Sequence, residues 1–205
     1  MLLNLHCHSN YSDGADSILD LASACQKAGH VALCLTDHSY MLKTVENWEK
    51  QCTEAALVSS KLNFPIIVGI EAYVFSVPEE VLIFGPSACS SLLKTNALAS
   101  IKRFKEWYNT QTDPFALILC HPTLGVNDLN FYLMMDGYEV VNCNLNWSPD
   151  YVERMEILMP DPRRAYVNQD LHTLTNLCHP CNDVGDLEIS NESDLISYLA
   201  VTRSL

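Results

Sequence analysis

The sequence predicts an α/β chain whose strands form a parallel sheet covered by helices and closed as a barrel. Three observations carry this. Short apolar runs alternate with helical patterns about seven times from end to end, the order expected of parallel strands with crossover helices. Each run is nearly continuous in apolar residues and bounded by turn residues, as strands buried on both faces are. The residues able to do chemistry stand at the C-terminal ends of many different strands, which suits a barrel with a central site better than a doubly wound sheet.

The strands are expected near residues 2–6, 31–35, 66–71, 81–85, 116–120, 138–142 and 165–169. Between the first two, Asp16 to Ala28 sets Ile18, Leu21, Ala22 and Cys25 at helical spacing. Gly29 follows as the residue that tolerates left-handed backbone past a helix end. Leu42 to Lys61 and Ser91 to Asn109 are the other long helical patterns, and Ser193 to Leu205 gives a last short helix. Internal repeats, low-complexity tracts and linkers are absent, so residues 1–205 are expected to form a single domain.

Composition narrows the classes. With 48% hydrophobic and 18% charged residues in 205, the chain is globular in type and long enough for a sizeable core. Acidic residues number 25 against 12 basic, a formal net charge of −13. Such a chain is a poor general binder of nucleic acid or anionic membrane, although bound cations can reverse the charge locally. No apolar run approaches the roughly 20 residues of a membrane span, and Met1 to His6 lacks the basic and apolar stretches of a signal peptide. The expected location is the cytoplasm. The nine cysteines are odd in number and scattered. Cys34 and Cys120 sit inside apolar runs and read as small buried hydrophobes. Cys178-His179-Pro180-Cys181 could hold zinc, but a structural site wants four ligands and no second pair is evident. A loop with free thiols fits better; a thiol-redox or zinc-storage role would have to follow Cys178 and Cys181.

Seven histidines are present, and five fall just past an expected strand: His6, His8, His38, His121 and His172. Acidic residues stand at equivalent places, namely Asp13, Asp37, Glu71 and Asp170. His6-Cys7-His8 and Asp170-Leu171-His172 are i, i+2 pairs, which point to one side of an extended chain. Glu71 closes a buried strand, where an unpaired charge is costly and basic residues are scarce. Each piece alone has an ordinary explanation, such as a buried ion pair or surface imidazoles. Together they call for metals, and imidazole with carboxylate suits Zn, Mn or Fe.

The order His6-x-His8, Tyr11-Ser12-Asp13-Gly14, Thr36-Asp37-His38, Gly69-Ile70-Glu71, Cys120-His121-Pro122, Glu139-x-x-Asn142 and Asp170-x-His172 resembles the PHP (polymerase and histidinol phosphatase) family, over roughly residues 3 to 185. The resemblance implies a distorted seven-stranded (β/α)7 barrel carrying two or three divalent metal ions at the C-terminal strand ends, and metal-dependent hydrolysis of phosphoesters. It places His6, His8, Glu71 and Asp170 on one ion, has Glu71 bridge to a second that also takes His121, and puts Asp13, His38 and His172 on a third. Glu80 stands where the family often has a histidine, so a carboxylate would complete the second site. Thr123 stands where many relatives carry a basic residue.

A cluster of this kind would clamp a phosphoryl group and generate a metal-bridging hydroxide, with Glu71, Asp170 and His172 as the catalytic candidates. The expected substrate is a small phosphorylated metabolite or nucleotide. Phosphotyrosine or histidinol phosphate is the nearest enzymatic alternative, and a metal-binding module with weak or no catalysis is the alternative of another class. Arg163 and Arg164 are the nearest candidates for a phosphate fork, although a solvated pair is the simpler reading. Asp37 and Asn142 are expected to support the site, His30 to cap helix carbonyls, and Trp107 and Trp147 to lie in the core or at its rim.

Overall fold

The computed structural model describes residues 1–77, 79–123, 128–143, 164–177 and 181–200, together with residues 153, 156 and 157. Among these the chain begins with β1 (Leu2–Leu3), α1 (Ile18–Lys27), β2 (Leu33–Leu35), α2 (Ser39–Leu42) and α3 (Val45–Leu62). It continues through β3 (Ile66–Val68), β4 (Ile70–Val74), β5 (Glu79–Phe84), α4 (Pro86–Lys94), a 3-10 turn at Ala97–Ala99 and α5 (Ile101–Thr110). The last elements are β6 (Ala116–Cys120), α6 (Leu129–Tyr132), β7 (Gly137–Asn142), β8 (Ala165–Asn168), a 3-10 turn at Leu174–Asn176, β9 (Asn182–Asp183) and α7 (Glu192–Ala200).

Helix boundaries follow local chemistry. Ser17 caps α1 by accepting from the Asp20 N–H, the helix buries Ile18, Leu21, Ala22 and Cys25, and Gly29 follows at φ 86°. The pattern from Leu42 to Lys61 divides at Thr44, whose side chain accepts from Asn47 N and starts α3 afresh. The pattern from Ser91 to Asn109 likewise divides into α4 and α5, because Ser100 turns extended and caps the Arg103 N–H. His30 does cap a carbonyl, its Nδ1 lying 3.2 Å from Cys25 O. Trp107 is in the core, whereas Trp147 lies outside the described residues.

The sheet departs from the expectation in two ways. First, it is mixed. β4 to β8 form one sheet in sequence order, with β5 antiparallel to both neighbours and β6, β7 and β8 parallel. The connection from Val74 to Glu79 is too short for a parallel crossover, which takes a dozen residues or more, so β4 and β5 pair as a hairpin. Second, the strands do not close into a seven-stranded ring. β2 pairs with β3 in parallel and β1 with β9 antiparallel, as two separate two-stranded sheets. Side chains replace the missing ladder. Leu5 N donates to Asn168 Oδ1 (2.9 Å), Cys7 N to Thr36 Oγ1 (3.1 Å) and Gln169 N to Asn4 Oδ1 (2.8 Å). Isolated parallel bridges at Cys7↔Leu171 and His38↔Glu71 then tie the three sheets together at the histidine-bearing end.

Two apolar clusters flank the strands. The larger takes the inner faces of α1, α3, α4 and α5. The second joins Leu3, Leu5, Cys34, Ile67, Leu82, Phe84, Ile118 and Cys120 to Leu195 and Leu199 of α7. Leu82 lies two residues beyond Glu80 on the same strand face, so this acid stands at the rim of a packed apolar plug. Among the described residues no helix is long and apolar enough to cross a membrane.

Glu192 anchors α7 to the sheet by accepting from Gly85 N at 2.8 Å. Burial pushes its carboxyl up to about 6. The folded chain therefore holds this proton more tightly than the unfolded one, and the resulting stability is present at low pH and lost as pH rises through 6. At roughly 1.4 kcal/mol per unit, reduced because the group is partly exposed, the effect is about 1 kcal/mol. Glu192→Gln is expected to raise stability at pH 7 by about that amount and to leave it unchanged at pH 4. Urea titrations at the two pH values check this, and an equal shift at both would refute the assignment.

Candidate metal centre

The elements deliver eight of the nine candidate ligands to one end of the sheet, and Asp13 joins them from the turn before α1. His6 and His8 lie in the extended segment after β1, His38 follows β2, Glu71 is the second residue of β4, His121 follows β6, and Asp170 and His172 follow β8. Glu80 comes from the start of β5, because that strand runs the other way. Four sets of ligand atoms lie within 4.8 Å of one another: His6, Glu71, Cys120 and His121; His8, Asp13, His38 and His172; His6, His8 and Asp170; and His38, Glu71 and Glu80. Glu71 is the hub. Its Oε1 lies 3.3 Å from His6 Nε2 and 2.9 Å from His121 Nε2, and its Oε2 lies 3.3 Å from His8 Nε2 and 2.7 Å from His38 Nδ1. Asp170 Oδ1 is 3.2 Å from both His6 Nε2 and His8 Nε2. The outer residue Asp13 reaches His38 Nε2 and His172 Nε2, each at 3.4 Å.

Carboxylates and amides behind this ring set the orientations. Glu139 Oε1 accepts from His6 Nδ1 (2.8 Å) and Asn168 Nδ2 (3.0 Å), and its Oε2 accepts from His121 N (2.7 Å) and Asn142 Nδ2 (3.0 Å). With Nδ1 occupied, the His6 ring turns Nε2 inward, the arrangement by which an outer acceptor fixes the tautomer of a metal-binding imidazole. Asn142 also donates to Asp170 Oδ2 at 3.2 Å. Asp37 does not touch an imidazole; it holds the loop after His8 by accepting from Ser9 N, Ser9 Oγ, Ser12 Oγ and Gln51 Nε2. His172 Nδ1 donates to Asp170 O at 2.9 Å, leaving Nε2 on the Asp13 side.

The charges are interlocked. Burial alone would raise Glu71, yet His6, the hydrogen bond from His121 and the close approach of His38 hold it well below the usual carboxylate range. Asp170 is lowered against the same burial by His6 and His8. In return His6 is raised well above an ordinary imidazole despite its burial, through Asp170, Glu71 and Glu139. His121 is pushed to about 9, where Glu71 and Glu139 outweigh burial and the repulsion of His6. His8 is lowered, chiefly by burial. Glu80 is raised, by burial and then by the neighbouring Glu71. A cation entering such a cluster displaces protons from the imidazoles. The donor set fits one: His6 Nε2 and His8 Nε2 face each other at 3.0 Å, with buried carboxylate oxygens on both, an arrangement completed by a shared cation.

Backbone geometry is spent on the same residues. His121 and Asp170 have φ of 26° and 48°, values that L residues rarely adopt and that persist where surroundings over-determine them. At His121 the determinants are the Glu139 bond to its N–H and, two residues on, Glu79, which accepts from Thr123 N and Oγ1 (both 3.0 Å) and from Tyr132 O–H (3.1 Å). Thr123 is thus turned toward Glu79. Gly14 packs so closely under His8 that a Cβ there would lie 2.2 Å from His8 O.

Several expectations change. Cys120 is buried as expected, but its Sγ also lies 3.4 Å from Glu71 Oε1, within one of the ligand sets. Arg164 is no phosphate fork: its guanidinium donates to the carbonyls of Met135 and Asp136, at the entry to β7 and away from the histidine-bearing end. Arg163 and the Cys178-His179-Pro180 segment lie outside the described residues. Glu79, Gln51 and Asn168 are the supporting residues that sequence reasoning missed. For Glu79 and Asn168 a charged or amide side chain opening or closing an apolar run was the available signal, whereas Gln51, inside the polar stretch of α3, left none.

Replacing Glu139 isolates the outer layer. Glu139→Gln keeps an acceptor for His6 but places an NH2 against the His121 N–H or Asn142. Metal affinity is expected to fall by roughly 10- to 100-fold, as measured by competition with a chelator. An unchanged affinity would mean that Glu139 does not orient the ligands.

Imidazoles and carboxylates gathered by strand ends of a mixed α/β fold define a candidate polynuclear metal centre. The family model for the PHP domain matches residues 4–179, and the chain belongs to that family. It is 40% identical over 74 residues to the DNA polymerase/3'-5' exonuclease PolX of Bacillus subtilis (strain 168), a stretch covering 33% of this chain and 13% of that protein. It is 38% identical over 72 residues to DNA polymerase III subunit alpha of Chlamydia pneumoniae, covering 34% of this chain and 5% of that one. The matched stretches are thus small parts of these relatives. Among solved structures, one from Bifidobacterium adolescentis, described as a candidate metal-dependent phosphoesterase, superposes with a TM-score of 0.58 over 96% of this chain and 95% of that one, at 16% identity. That likeness is one of fold.

Proposed function

We propose that the protein is a metal-dependent phosphoesterase acting on a small phosphorylated metabolite or nucleotide, as one domain in the cytoplasm, without nucleic acid or membrane as a stable partner. The observation that carries this reading is the gathering of five imidazoles and four carboxylates into one cluster around Glu71, most of them buried, in a chain of the PHP family. His6, His8, Glu71 and Asp170 would hold one divalent ion, Glu71, His121 and Glu80 a second, and Asp13, His38 and His172 a third. Zn, Mn or Fe suit these donors. Bound there, such ions supply an electrophilic clamp for phosphoryl oxygens and lower the pKa of water toward about 7. The chain's own part is positional. Glu139 and Asn142 hold His6, His121 and Asp170 in their orientations, and the apolar plug behind the site excludes water. His172, with its side chain 27% exposed, is the cluster imidazole most open to solvent; its Nε2 would hold the third ion where that ion is bound, and would carry a proton for the departing oxygen in a cluster of two ions.

The test is release of phosphate or alcohol from a panel of phosphomonoesters and phosphodiesters, by protein stripped with chelator and reloaded separately with Mn, Fe(II) and Zn. Turnover lost on stripping and restored by a metal supports the reading. No turnover from protein holding at least two ions per chain would overturn it in favour of a metal-binding module with weak or no catalysis. Two points favour that second reading: the resemblance places a histidine where this chain has Glu80, and Thr123 is committed to Glu79 rather than to an anion.

A further inference from the structure

The mouth of the cluster carries aromatic surface that the ligand geometry does not require. Tyr40, two residues after His38, stacks on the His38 ring with centroids 4.8 Å apart and planes at 29°, yet the residue remains 47% exposed. One face of the ring is therefore taken by a cluster imidazole while much of the rest is open. The bridge His38↔Glu71 sets β4 directly beside this segment. Tyr73, two residues after Glu71 on the same strand face, is the cross-strand neighbour of Glu80 and meets Phe75 edge-on at 5.5 Å. Phe75 is 63% exposed. Aromatic side chains thus leave the cluster along both α2 and β4, beyond His38 on one element and beyond Glu71 on the other. Exposed aromatic rings of this kind, one face backed and another open, are what planar groups stack upon.

The geometry points to Tyr40 as the platform on which a planar aromatic group of the phosphoester, an aryl ring or a nucleobase, stacks while its phosphate reaches the cluster. This rests on the phosphoesterase reading and adds to it a substrate class: planar aromatic esters over alkyl esters. The Tyr40 hydroxyl is not needed for stacking, so phenylalanine serves in its place. Leucine keeps apolar bulk over His38 and removes the flat π surface.

Two measurements separate this inference from the reading beneath it. The first is equilibrium binding to the metal-loaded protein of phenyl phosphate, adenosine monophosphate and methyl phosphate, each as the phosphonate that lacks the cleavable ester oxygen, followed by isothermal titration calorimetry. The wild type and Tyr40→Phe are expected to bind the aromatic ligands roughly tenfold or more tighter than methyl phosphate, from a stacking contribution of the usual size. Tyr40→Leu and Tyr40→Ala are expected to lose that margin and to keep methyl phosphate within about twofold. The second is turnover of the matching esters, where the same variants should raise KM for the aromatic esters alone. Phenyl phosphate and adenosine monophosphate distinguish a general aryl preference from one for a base. Equal binding of aromatic and methyl phosphates by the wild type overturns the inference. So does a loss of equal size for all ligands in Tyr40→Leu, which would mark Tyr40 as a residue that only positions His38. If no ester is turned over but the binding margin is present and depends on Tyr40, the phosphoesterase reading fails and the platform stands.

Discussion

Glu71→Gln is expected to remove at least one metal ion per chain and to lower phosphoester turnover by roughly 10³-fold, about 4 kcal/mol of transition-state stabilisation. Both of its oxygens are engaged, Oε1 between His6 and His121 and Oε2 between His8 and His38. The amide preserves volume, so the packing around the site is kept. It replaces one oxygen with a donor that faces imidazole nitrogens and any cation they share. In the cation-free protein the effect is one of charge: His6 keeps Asp170 and Glu139 as partners, which limits the loss of fold stability. The check is metal content by elemental analysis beside turnover, with circular dichroism to establish that the chain is folded. A folded variant with full metal content and turnover within tenfold of wild type would show that Glu71 is not the hub.

Gly14→Ala is expected to cost about 2–4 kcal/mol of stability, the largest loss anticipated from adding a single methyl group. The atoms that a Cβ would meet are His8 O at 2.2 Å, His8 C at 2.5 Å and Ser9 N at 2.8 Å. All are backbone, so no side chain can swing away. The loop cannot shift without loosening Gly14 N from Ser9 O (3.1 Å) and Ser12 Oγ from Asp37 (2.6 Å). Because Asp13 precedes the clash and His8 is the residue struck, the same methyl disturbs two candidate ligands at once. Urea denaturation of the cation-free protein measures the effect. A loss under about 0.5 kcal/mol, the scale of a neutral surface change, would mean that the loop relaxes freely.

What could be foreseen in the sequence was whatever leaves a local trace. The α1 helix was legible because Ile18, Leu21, Ala22 and Cys25 repeat at helical spacing and Gly29 ends them. Most of the candidate ligands were legible because they follow an apolar run, whereas Glu80 opens one and Asp13 stands in a polar turn. The reversal of β5 left a weaker trace. Buried strands look alike in either direction, and only the few residues between Val74 and Glu79 exclude a crossover. Closure failed for a similar reason: residues 2–6 read as strand, but the Asn168 side chain takes the Leu5 N–H, the Asn4 side chain takes that of Gln169, and Thr36 takes that of Cys7 just beyond. The layer behind the ligands was hardest to see. Glu79 and Asn168 matter through partners far away along the chain, and no spacing rule reports such contacts.

The hairpin that reverses β5 also makes one corner of the site adjustable. Most of the other candidate ligands follow the end of a strand, whereas Asp13 lies in the loop before α1 and Glu71 is the second residue of β4. Glu80 is fixed by register alone: it faces the cluster because it pairs with Tyr73, as Leu82 pairs with Glu71. Adding two residues to the turn and removing none would preserve which side chains face inward while sliding a different residue into the corner. Because β5 also pairs with β6, Glu80 lying against Cys120, such a slide would have to be matched along the strand that leads to His121. The corner is held by pairing on two sides, Tyr73 on β4 and Cys120 on β6, in a site most of whose other members follow strand ends.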